Sequence, residues 1–344
     1  MNSITIKPSQ LRIVLERCVA AGENVMITGA PGVGKTQITA DACAAATAKM
    51  VTIYVSVSDP TDLAGMPFVV DGKGEHLPFG KLREIAECAA HGDKLVIFLD
   101  DFGQGTPATQ AAAMQLLDRY RGASNVSFIV ATNRRGDRAG VTGILEPIKS
   151  RFATIVEIAP DLADFAEWWF VTKPYSDHAE PIAFLRFRPE LLHKFEPTAD
   201  ITNSPCPRTW AALARVKALG LPHELEYAAF AGAVGAGAAG EFLAFLRVYR
   251  DLPDLDALLC NPDHAEIPHE PSALYAVATG LVSRVTDSTL GSILRYAERM
   301  VGAGQGEFAV LLARDILRKV PSVAKSAPWT KAMSGDIGKL IVGE

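Results

Sequence analysis

Cysteine is scarce in this sequence, and its few cysteines are not spaced as metal ligands or disulfide partners are. The five, among 344 residues, are Cys18, Cys43, Cys88, Cys206 and Cys260, and none forms a Cys-x-x-Cys pair. Zinc sites and disulfide frameworks need paired or closely spaced thiols. We therefore expect neither, and predict a reduced, cytoplasmic protein in which each cysteine is an ordinary buried residue.

Long apolar runs and an excess of positive charge are also missing. No run reaches the roughly 18 apolar residues that a membrane span needs, and residues 1–10 lack the pattern of a signal peptide. The formal net charge is −5. We therefore expect no membrane association and no coating of nucleic acid by charge alone, although a local basic patch is compatible with the sequence.

Motifs of several other enzyme classes are absent. The seven histidines form no His-Glu-x-x-His pattern, and His264, Glu266 and His269 are typical of a solvated loop. No Gly-x-Ser-x-Gly turn occurs, which disfavours an α/β-hydrolase. Residues 132–135 do not supply the Asn-Lys-x-Asp sequence with which GTPases read guanine. We therefore expect ATP rather than GTP as the nucleotide.

The first half of the chain contains short apolar runs separated by segments with helical spacing. Hydrophobic residues make up 49% of the chain, and its length suggests about two domains. We predict strands at 25–28, 51–55, 95–99, 126–130 and 154–158, and helices at 9–20, 36–48, 81–90 and 107–120. Continuous apolar strands that alternate with helices indicate a parallel sheet covered on both faces. The prediction is an α/β fold, with a five-stranded parallel sheet in an αβα sandwich.

After Pro160 the pattern becomes helical and strand signals are few. Helices are predicted at 161–170, 183–195, 209–219, 223–234, 241–252, 272–282, 290–300 and 308–319. The Gly- and Ala-rich segment 232–240 predicts a tight helix contact or a turn. Prolines between 252 and 271 mark a boundary inside this all-α half.

The strongest motif is a phosphate-binding loop at residues 29–36. It reads Gly29, Ala30, Pro31, Gly32, Val33, Gly34, Lys35 and Thr36, which is a complete G-x-x-x-x-G-K-[ST] pattern between a strand and a helix, with Gln37 next. Glycines let backbone N–H groups approach phosphates closely, and a helix N-terminus adds partial positive charge. We predict that these nine residues bind the nucleotide. Lys35 would neutralise the β- and γ-phosphates, and the Thr36 hydroxyl would ligate Mg²⁺.

Two further strands end in polar residues. Asp100 and Asp101 close the apolar run 95–99, in the manner of a Walker B strand. Asp100 is predicted to hold Mg²⁺ and Asp101 to polarise the attacking water; a helix cap or an exposed turn is the alternative for either. Asn133 ends the strand near 126–130, where it would meet the γ-phosphate or the water, although asparagine also caps turns.

The order of these motifs resembles that of an AAA+ ATPase. A Ser150-Arg151-Phe152 element before the fifth strand completes the series, and the resemblance covers about residues 5–250. The segments 59–65 and 67–81 are most similar to the MoxR-like and dynein-related branch. Apolar runs around Asp71-Gly72 predict a β-hairpin by themselves. In that branch such a hairpin is inserted in the second helix and faces the ring pore.

The resemblance implies roles for several arginines. Arg151 matches the arginine finger, which reaches the γ-phosphate held by a neighbouring subunit; a salt bridge at a helix end is the alternative. Arg134, Arg135 and Arg138 could share this duty. Arg208 resembles the sensor-2 residue that contacts nucleotide from the helical lid; a surface arginine at a helix start is the alternative.

The resemblance also implies an architecture and a function. We predict an ATPase core at 1–160, a helical lid at 161–252 and a helical extension at 253–344; the resemblance does not account for the extension. The resemblance implies a homo-oligomeric ring, expected to be a hexamer, that hydrolyses ATP with Mg²⁺ and remodels a protein partner like a chaperone. In MoxR-like systems that partner often has a von Willebrand-type or metal-binding domain. A nucleic-acid motor or loader and a slow nucleotide-gated switch or scaffold are the alternatives, the switch because Asp101 replaces the usual glutamate.

Overall fold

A parallel sheet forms the centre of the first of two structural units. The computed structural model describes residues 5–137, 140–141, 143–172, 179–198, 200–250 and 254–342. One unit comprises Met1–Asp161 with Phe195–Ala199, and the other comprises Leu162–Lys194 with Asp200–Glu344.

The first unit contains eight strands and six helices in its described part. The strands are β1 (Thr5–Ile6), β2 (Val25–Gly29), β3 (Lys49–Tyr54), β4 (Met66–Val70), β5 (Lys73–Leu77), β6 (Leu95–Asp100), β7 (Val126–Thr132) and β8 (Thr154–Ile158). The helices are α1 (Pro8–Ala21), α2 (Lys35–Ala45), α3 (Pro60–Ala64), α4 (Gly80–His91), α5 (Pro107–Arg119) and α6 (Glu146–Lys149).

The main sheet has the strand order β1-β8-β2-β7-β6-β3, with every neighbouring pair parallel. The prediction of an α/β fold with a parallel sheet is confirmed. The predicted number of five strands is wrong, because β1 joins the edge beside β8 as a sixth strand. A strand of two residues is too short to produce an apolar pattern in the sequence.

Strands β6 and β7 are buried along their whole length, as their apolar sequences predict. In β6, Leu95, Ile97 and Leu99 pack in one core cluster. Val96 and Phe98 pack in a second cluster, on the other face of the sheet. The two-sided burial leaves the ends of the strands as the places where polar side chains meet solvent.

A separate hairpin of β4 and β5 lies between α3 and α4. Asp71 and Gly72 link the strands with φ angles of 49° and 75°, the left-handed region that a type I′ turn requires at both positions. The hairpin predicted around Asp71-Gly72 is confirmed. Its apolar residues Phe68 and Val69 are exposed.

The second unit is helical, and no strand occurs in its described part. Its helices are α7 (Leu162–Val171), α8 (Glu180–Phe187), α9 (Pro207–Lys217), α10 (His223–Val234), α11 (Ala236–Arg250), α12 (Leu255–Cys260), α13 (Pro271–Ser283), α14 (Leu290–Gly302), α15 (Gly306–Lys319), α16 (Ala327–Met333) and α17 (Asp336–Val342). The predicted all-α half is therefore confirmed. The predicted boundary at 252 and 253 lies outside the described residues, so a division into lid and extension stays a prediction.

Two details differ from the predictions. The helix predicted at 183–195 ends at Phe187, because Pro189 disfavours helical backbone in the residue before it. Cys43, Cys88 and Cys206 are buried as predicted, whereas Cys18 is only partly buried and Cys260 is exposed. No helix within the described ranges combines the length and apolar character needed to cross a bilayer.

A buried ion pair lies in the core of the second unit. The guanidinium of Arg186 contacts the carboxylate of Asp315 and donates to Oγ1 of Thr279 at 3.0 Å. The Asp315 side chain is 1% exposed. Burial raises the pKa of Asp315, and the positive charge of Arg186 opposes that shift. The stability of this core is therefore expected to fall when only one of the two charges is removed, and to change less when both are removed together.

Replacing Asp315 alone with alanine is expected to lower the free energy of unfolding by about 3–5 kcal/mol, because it leaves a buried guanidinium without its carboxylate. The double variant Arg186→Met, Asp315→Leu should regain most of that loss. Urea unfolding followed by tryptophan fluorescence checks this, since Trp168, Trp169, Trp210 and Trp329 all belong to this unit.

The matched control for this prediction is Asp336→Ala, which removes the carboxylate of an exposed pair with Lys339. An exposed pair of this kind contributes less than about 1 kcal/mol. Equal losses for Asp315→Ala and Asp336→Ala would show that the buried pair carries no special weight.

Candidate nucleotide-binding site

The carboxyl ends of β2, β7 and β6 lie side by side and form what we call the nucleotide edge of the sheet. Thr28 in β2 pairs with Thr132 in β7, and Leu99 in β6 pairs with Val130 in β7. This register brings together the residues that follow the three strands. The phosphate-binding loop, Asn133 and Asp100 therefore meet at one edge, as their positions after buried strands predict.

The loop from Gly29 to Gly34 has a backbone that its glycines permit. Gly32 and Gly34 have φ angles of 75° and 97°, where a residue with a Cβ would be strained. A Cβ on Gly29 would lie 2.6 Å from Cγ2 of Ile158 and 2.8 Å from its carbonyl oxygen. Helix α2 starts at Lys35, so its N-terminus opens onto the loop. Such a terminus is suited to bind an anion.

The other loop residues divide between core and surface. Ala30 and Val33 are buried in the core cluster that includes α1 and α2 residues, and so anchor the loop. Pro31 is partly buried. Gln37 is exposed, and its Nε2 donates to Oδ1 of Asp41 at 2.9 Å.

The ammonium of Lys35 ties the loop to the neighbouring strand. Its Nζ donates to the carbonyl oxygens of Gly29 and Ala30, at 2.9 and 3.0 Å, and to Oδ1 of Asn133 at 2.8 Å. The residue is only 8% exposed. A buried ammonium must be hydrogen-bonded, and phosphate oxygens could replace these acceptors one for one. The sequence predicts that Lys35 meets the β- and γ-phosphates and Asn133 the γ-phosphate or the attacking water, and the two side chains are in direct contact.

A hydroxyl and a carboxylate meet beside the loop. Oγ1 of Thr36 donates to Oδ2 of Asp100 at 2.8 Å, and the backbone N–H of Asp101 donates to Oδ1 of Asp100 at 3.0 Å. Hydroxyl, carboxylate and phosphate oxygens are the ligands that Mg²⁺ prefers. The donor set at Thr36 and Asp100 therefore fits the ion that the sequence predicts there.

Asp101 begins the turn that follows β6. Its φ of 52° and ψ of 37° are left-handed, which is uncommon for a residue with a Cβ and is tolerated best by Asp and Asn. The turn is held close to β7, since a Cβ on Gly103 would collide with Oγ1 of Thr132. Asp101 is thus held next to Asp100 and beside the end of β7.

Comparison with known proteins agrees with this geometry. Residues 25–160 match the family described as "ATPase family associated with various cellular activities (AAA)". This part of the chain is similar to an AAA ATPase domain. The match begins at the first residue of β2 and includes every strand of the nucleotide edge. The prediction of an ATPase is confirmed.

Other comparisons are weaker. No curated protein matches the sequence. The RuvB Holliday junction branch migration motor of Thermotoga maritima gives a TM-score of 0.34 at 13% identity, covering 95% of this chain and 85% of RuvB. NtrX from Brucella abortus in complex with ADP gives 0.39 at 17% identity, covering 88% and 68%. At these scores the two structures add nothing to the family match.

Arg151 lies at the opposite edge of the main sheet, where β2 and β8 begin. Its carbonyl oxygen accepts from Nδ2 of Asn24, directly before β2. Five residues of β2 separate this amino edge from the nucleotide edge, a distance of about 16 Å. The guanidinium donates to both carboxylate oxygens of Asp118, at 3.1 and 2.7 Å. Arg151 is therefore far from the phosphate-binding loop of its own chain.

The other predicted arginines differ in their surroundings. Arg134 donates from Nε and Nη2 to Asp137, at 3.0 and 2.9 Å, and from Nη1 to Oε1 of Glu157 at 3.3 Å. Arg135 is exposed, and Arg138 lies outside the described residues. Arg208 is exposed near the start of α9, in the second unit, so its sensor-2 role stays a prediction.

Sequence reasoning missed Asp118, the carboxylate partner of Arg151. The two residues are 33 positions apart, and nothing in the sequence around Asp118 marks it as special. Gly103 was missed as well, although a glycine two residues after the acids is a visible sign of close packing.

Replacing Lys35 with alanine is expected to weaken ATP binding about 10- to 100-fold, because a charge-assisted hydrogen bond contributes about 1.5–3 kcal/mol. Isothermal titration of the purified variant with ATP measures this. The control is Lys149→Ala, whose ammonium pairs with exposed Glu146 on the surface. Indistinguishable dissociation constants for the two variants would rule out Lys35 as a phosphate-binding residue.

Proposed function

We propose that this chain is a ring-forming AAA+ ATPase of the MoxR-like branch, expected to be a hexamer, that hydrolyses ATP to remodel a protein partner. The observation that carries the proposal is the position of Arg151. Its backbone lies at the amino edge of the sheet, which the five residues of β2 separate from the nucleotide edge by about 16 Å, so we infer that a phosphate that it contacts belongs to a second copy. An active site completed by a neighbour requires an oligomer.

Each residue of the nucleotide edge has a role in this proposal. The N–H groups of the loop and the ammonium of Lys35 hold the phosphates. Thr36 and Asp100 would hold Mg²⁺, which supplies charge neutralisation for the phosphate oxygens. Asp101 accepts the proton of the attacking water and Asn133 orients that water. Arg151 of a neighbour offsets the negative charge that develops in the transition state.

A protein client is favoured by the hairpin of β4 and β5. Met66, Phe68, Val69 and Leu77 are exposed on it, and apolar side chains in solvent mark surfaces that bind other proteins. The net charge of −5 disfavours a nucleic-acid motor. By analogy with MoxR-like systems, the client has a von Willebrand-type or metal-binding domain. Failure to bind any such protein encoded beside this one would overturn that client. The five free cysteines of this chain favour the cytoplasm as the location of the ATPase itself.

A slow nucleotide-gated switch is the second candidate, because of Asp101. The carboxylate of aspartate is one methylene closer to the backbone than that of the usual glutamate. The Asp101 carboxylate therefore extends less far toward the attacking water than a glutamate would, and we expect slow ATP turnover as a result.

The rate of ATP hydrolysis per subunit is expected to rise with protein concentration, as particles larger than the monomer form in the presence of ATP. Arg151→Ala is expected to lower kcat by about 10³-fold, in line with arginine fingers in general, while ATP still binds. Steady-state assays measure the rate of ATP hydrolysis, light scattering measures the particle mass, and calorimetric titration measures ATP binding. A wild-type monomer that hydrolyses ATP at a rate independent of concentration contradicts the ring mechanism.

Changing Asp101 separates the two candidates. If Asp101 activates the water, Asp101→Asn is expected to lower kcat by about 10²-fold or more, and Asp101→Glu to keep or raise it. The single-turnover rate of ATP hydrolysis is the measurement. If both variants retain a slow wild-type rate, Asp101 is not the base and the switch becomes the better account.

A further inference from the structure

We propose that Asp118 is a positioning residue for Arg151, holding its guanidinium so that the unengaged N–H groups meet a phosphate bound to a neighbouring copy. The inference rests on the proposed role of Arg151 in a second copy's active site. It adds a residue that no motif in the sequence marks.

The hydrogen bonds of Arg151 leave one edge of its guanidinium for a ligand. Nε donates to Oδ1 of Asp118 at 3.1 Å, Nη2 to Oδ2 at 2.7 Å, and Nη1 to the carbonyl oxygen of Pro147 at 2.6 Å. A guanidinium has five N–H donors, so within the described part of the chain one N–H remains on each of Nη1 and Nη2. Both lie on the terminal nitrogens, and a guanidinium can present two such N–H groups to two oxygens of a phosphate. Asp118 occupies the Nε and Nη2 side of the guanidinium and leaves those two N–H groups for the phosphate.

The backbone of Arg151 is held as firmly as its side chain. Nδ2 of Asn24 donates to the carbonyl oxygen of Arg151 at 3.2 Å, and Oδ1 of Asn24 accepts from the N–H of Phe128 at 2.8 Å. One asparagine thus joins Arg151 to the beginnings of β2 and β7. Without Asp118 the side chain would keep only the single hydrogen bond from Nη1 to the carbonyl oxygen of Pro147, because Asn24 holds only the backbone.

Helix α5 gives Asp118 a rigid support. Gln110, which is 2% exposed, donates to the carbonyl oxygens of Gly105 and Gly143 and accepts from the N–H of Leu145. This side chain joins α5 to the segment that leads to Arg151. Asp118 makes a second connection in the last turn of the same helix. Two connections to one helix fix both the position and the direction of the guanidinium.

The charges around Asp118 also suit a phosphate. Nη2 of Arg121 lies 3.2 Å from Oδ1 of Asp118, so two guanidinium groups share one carboxylate. The hydrogen bond from Arg151 holds the pKa of the Asp118 carboxyl below its usual range, so the carboxylate stays ionised near neutral pH. The three groups together carry a net positive charge, which attracts the phosphates of a neighbouring nucleotide.

The test mixes two full-length variants that are each inactive alone. A Lys35→Ala subunit has a disabled nucleotide site but offers Arg151 to a neighbour, whereas an Arg151→Ala subunit has an intact site and offers no guanidinium. Their mixture is expected to regain ATPase activity. Adding Asp118→Asn to the Lys35→Ala subunit is expected to lower the regained rate about tenfold or more, because misplacing a reacting group costs that much.

Adding Asp118→Asn to the Arg151→Ala subunit should leave the regained rate as in the parent mixture, because that subunit has no guanidinium to position. Asp118→Glu, which keeps the charge but lengthens the side chain, should give an intermediate rate in the Lys35→Ala subunit. The control is Glu146→Gln in the Lys35→Ala subunit, since it removes an exposed carboxylate of the same segment. It is expected to leave the regained rate unchanged.

Each other outcome overturns a distinct claim. Equal losses from Asp118→Asn in either subunit would mean that the residue stabilises the fold and positions nothing. No loss in the Lys35→Ala subunit would show that Arg151 needs no partner. Failure of the parent mixture to regain activity, with both variants folded by circular dichroism, would overturn the action of Arg151 on a second copy, and the ring mechanism with it.

Discussion

The nucleotide edge depends on the hydrogen bonds of a single buried ammonium. Lys35 needs acceptors because a charge without partners is costly in the protein interior. It finds two of them in the loop after β2 and one at Asn133, 98 residues further along the chain. That contact is available because β7 lies directly beside β2 in the sheet. The contact between Lys35 and Asn133 therefore depends on the order of the strands in the sheet.

The length of the strands separates the phosphate-binding residues from Arg151. Phosphate-binding residues follow the carboxyl ends, whereas Arg151 and Asn24 lie at the amino edge. Helix α5 connects the two edges: it begins six residues after Asp101 and ends beside Asp118, and its 13 residues extend over about 20 Å. A single helix therefore lies between the turn after β6 and the carboxylate that contacts Arg151.

The sequence predicts well those features that are written in consecutive residues. The loop at 29–36, the acids after β6 and the turn at Asp71-Gly72 each have a local pattern with a physical cause, and the structure has all three. Contacts between distant residues have no such pattern. Arg151 with Asp118 and Arg186 with Asp315 join residues 33 and 129 positions apart, respectively, and only the folded chain brings them together.

Short elements are the other limit of sequence reasoning. Strand β1 has two residues, and α12, α16 and α17 have six or seven, too few for an apolar period to repeat. Their boundaries come from packing against elements already in place. The 12-residue helix α10, in contrast, begins and ends where its sequence predicts.

The glycines and the lysine of the phosphate-binding loop have a thermodynamic consequence. Gly32 and Gly34 are left-handed and Lys35 is bound to carbonyl oxygens, so the backbone of the loop has a shape that suits a phosphate. Little conformational entropy is then lost when a phosphate enters. Affinity is governed instead by an exchange of hydrogen-bond partners, carbonyl oxygens for charged phosphate oxygens, and so has a mainly enthalpic origin.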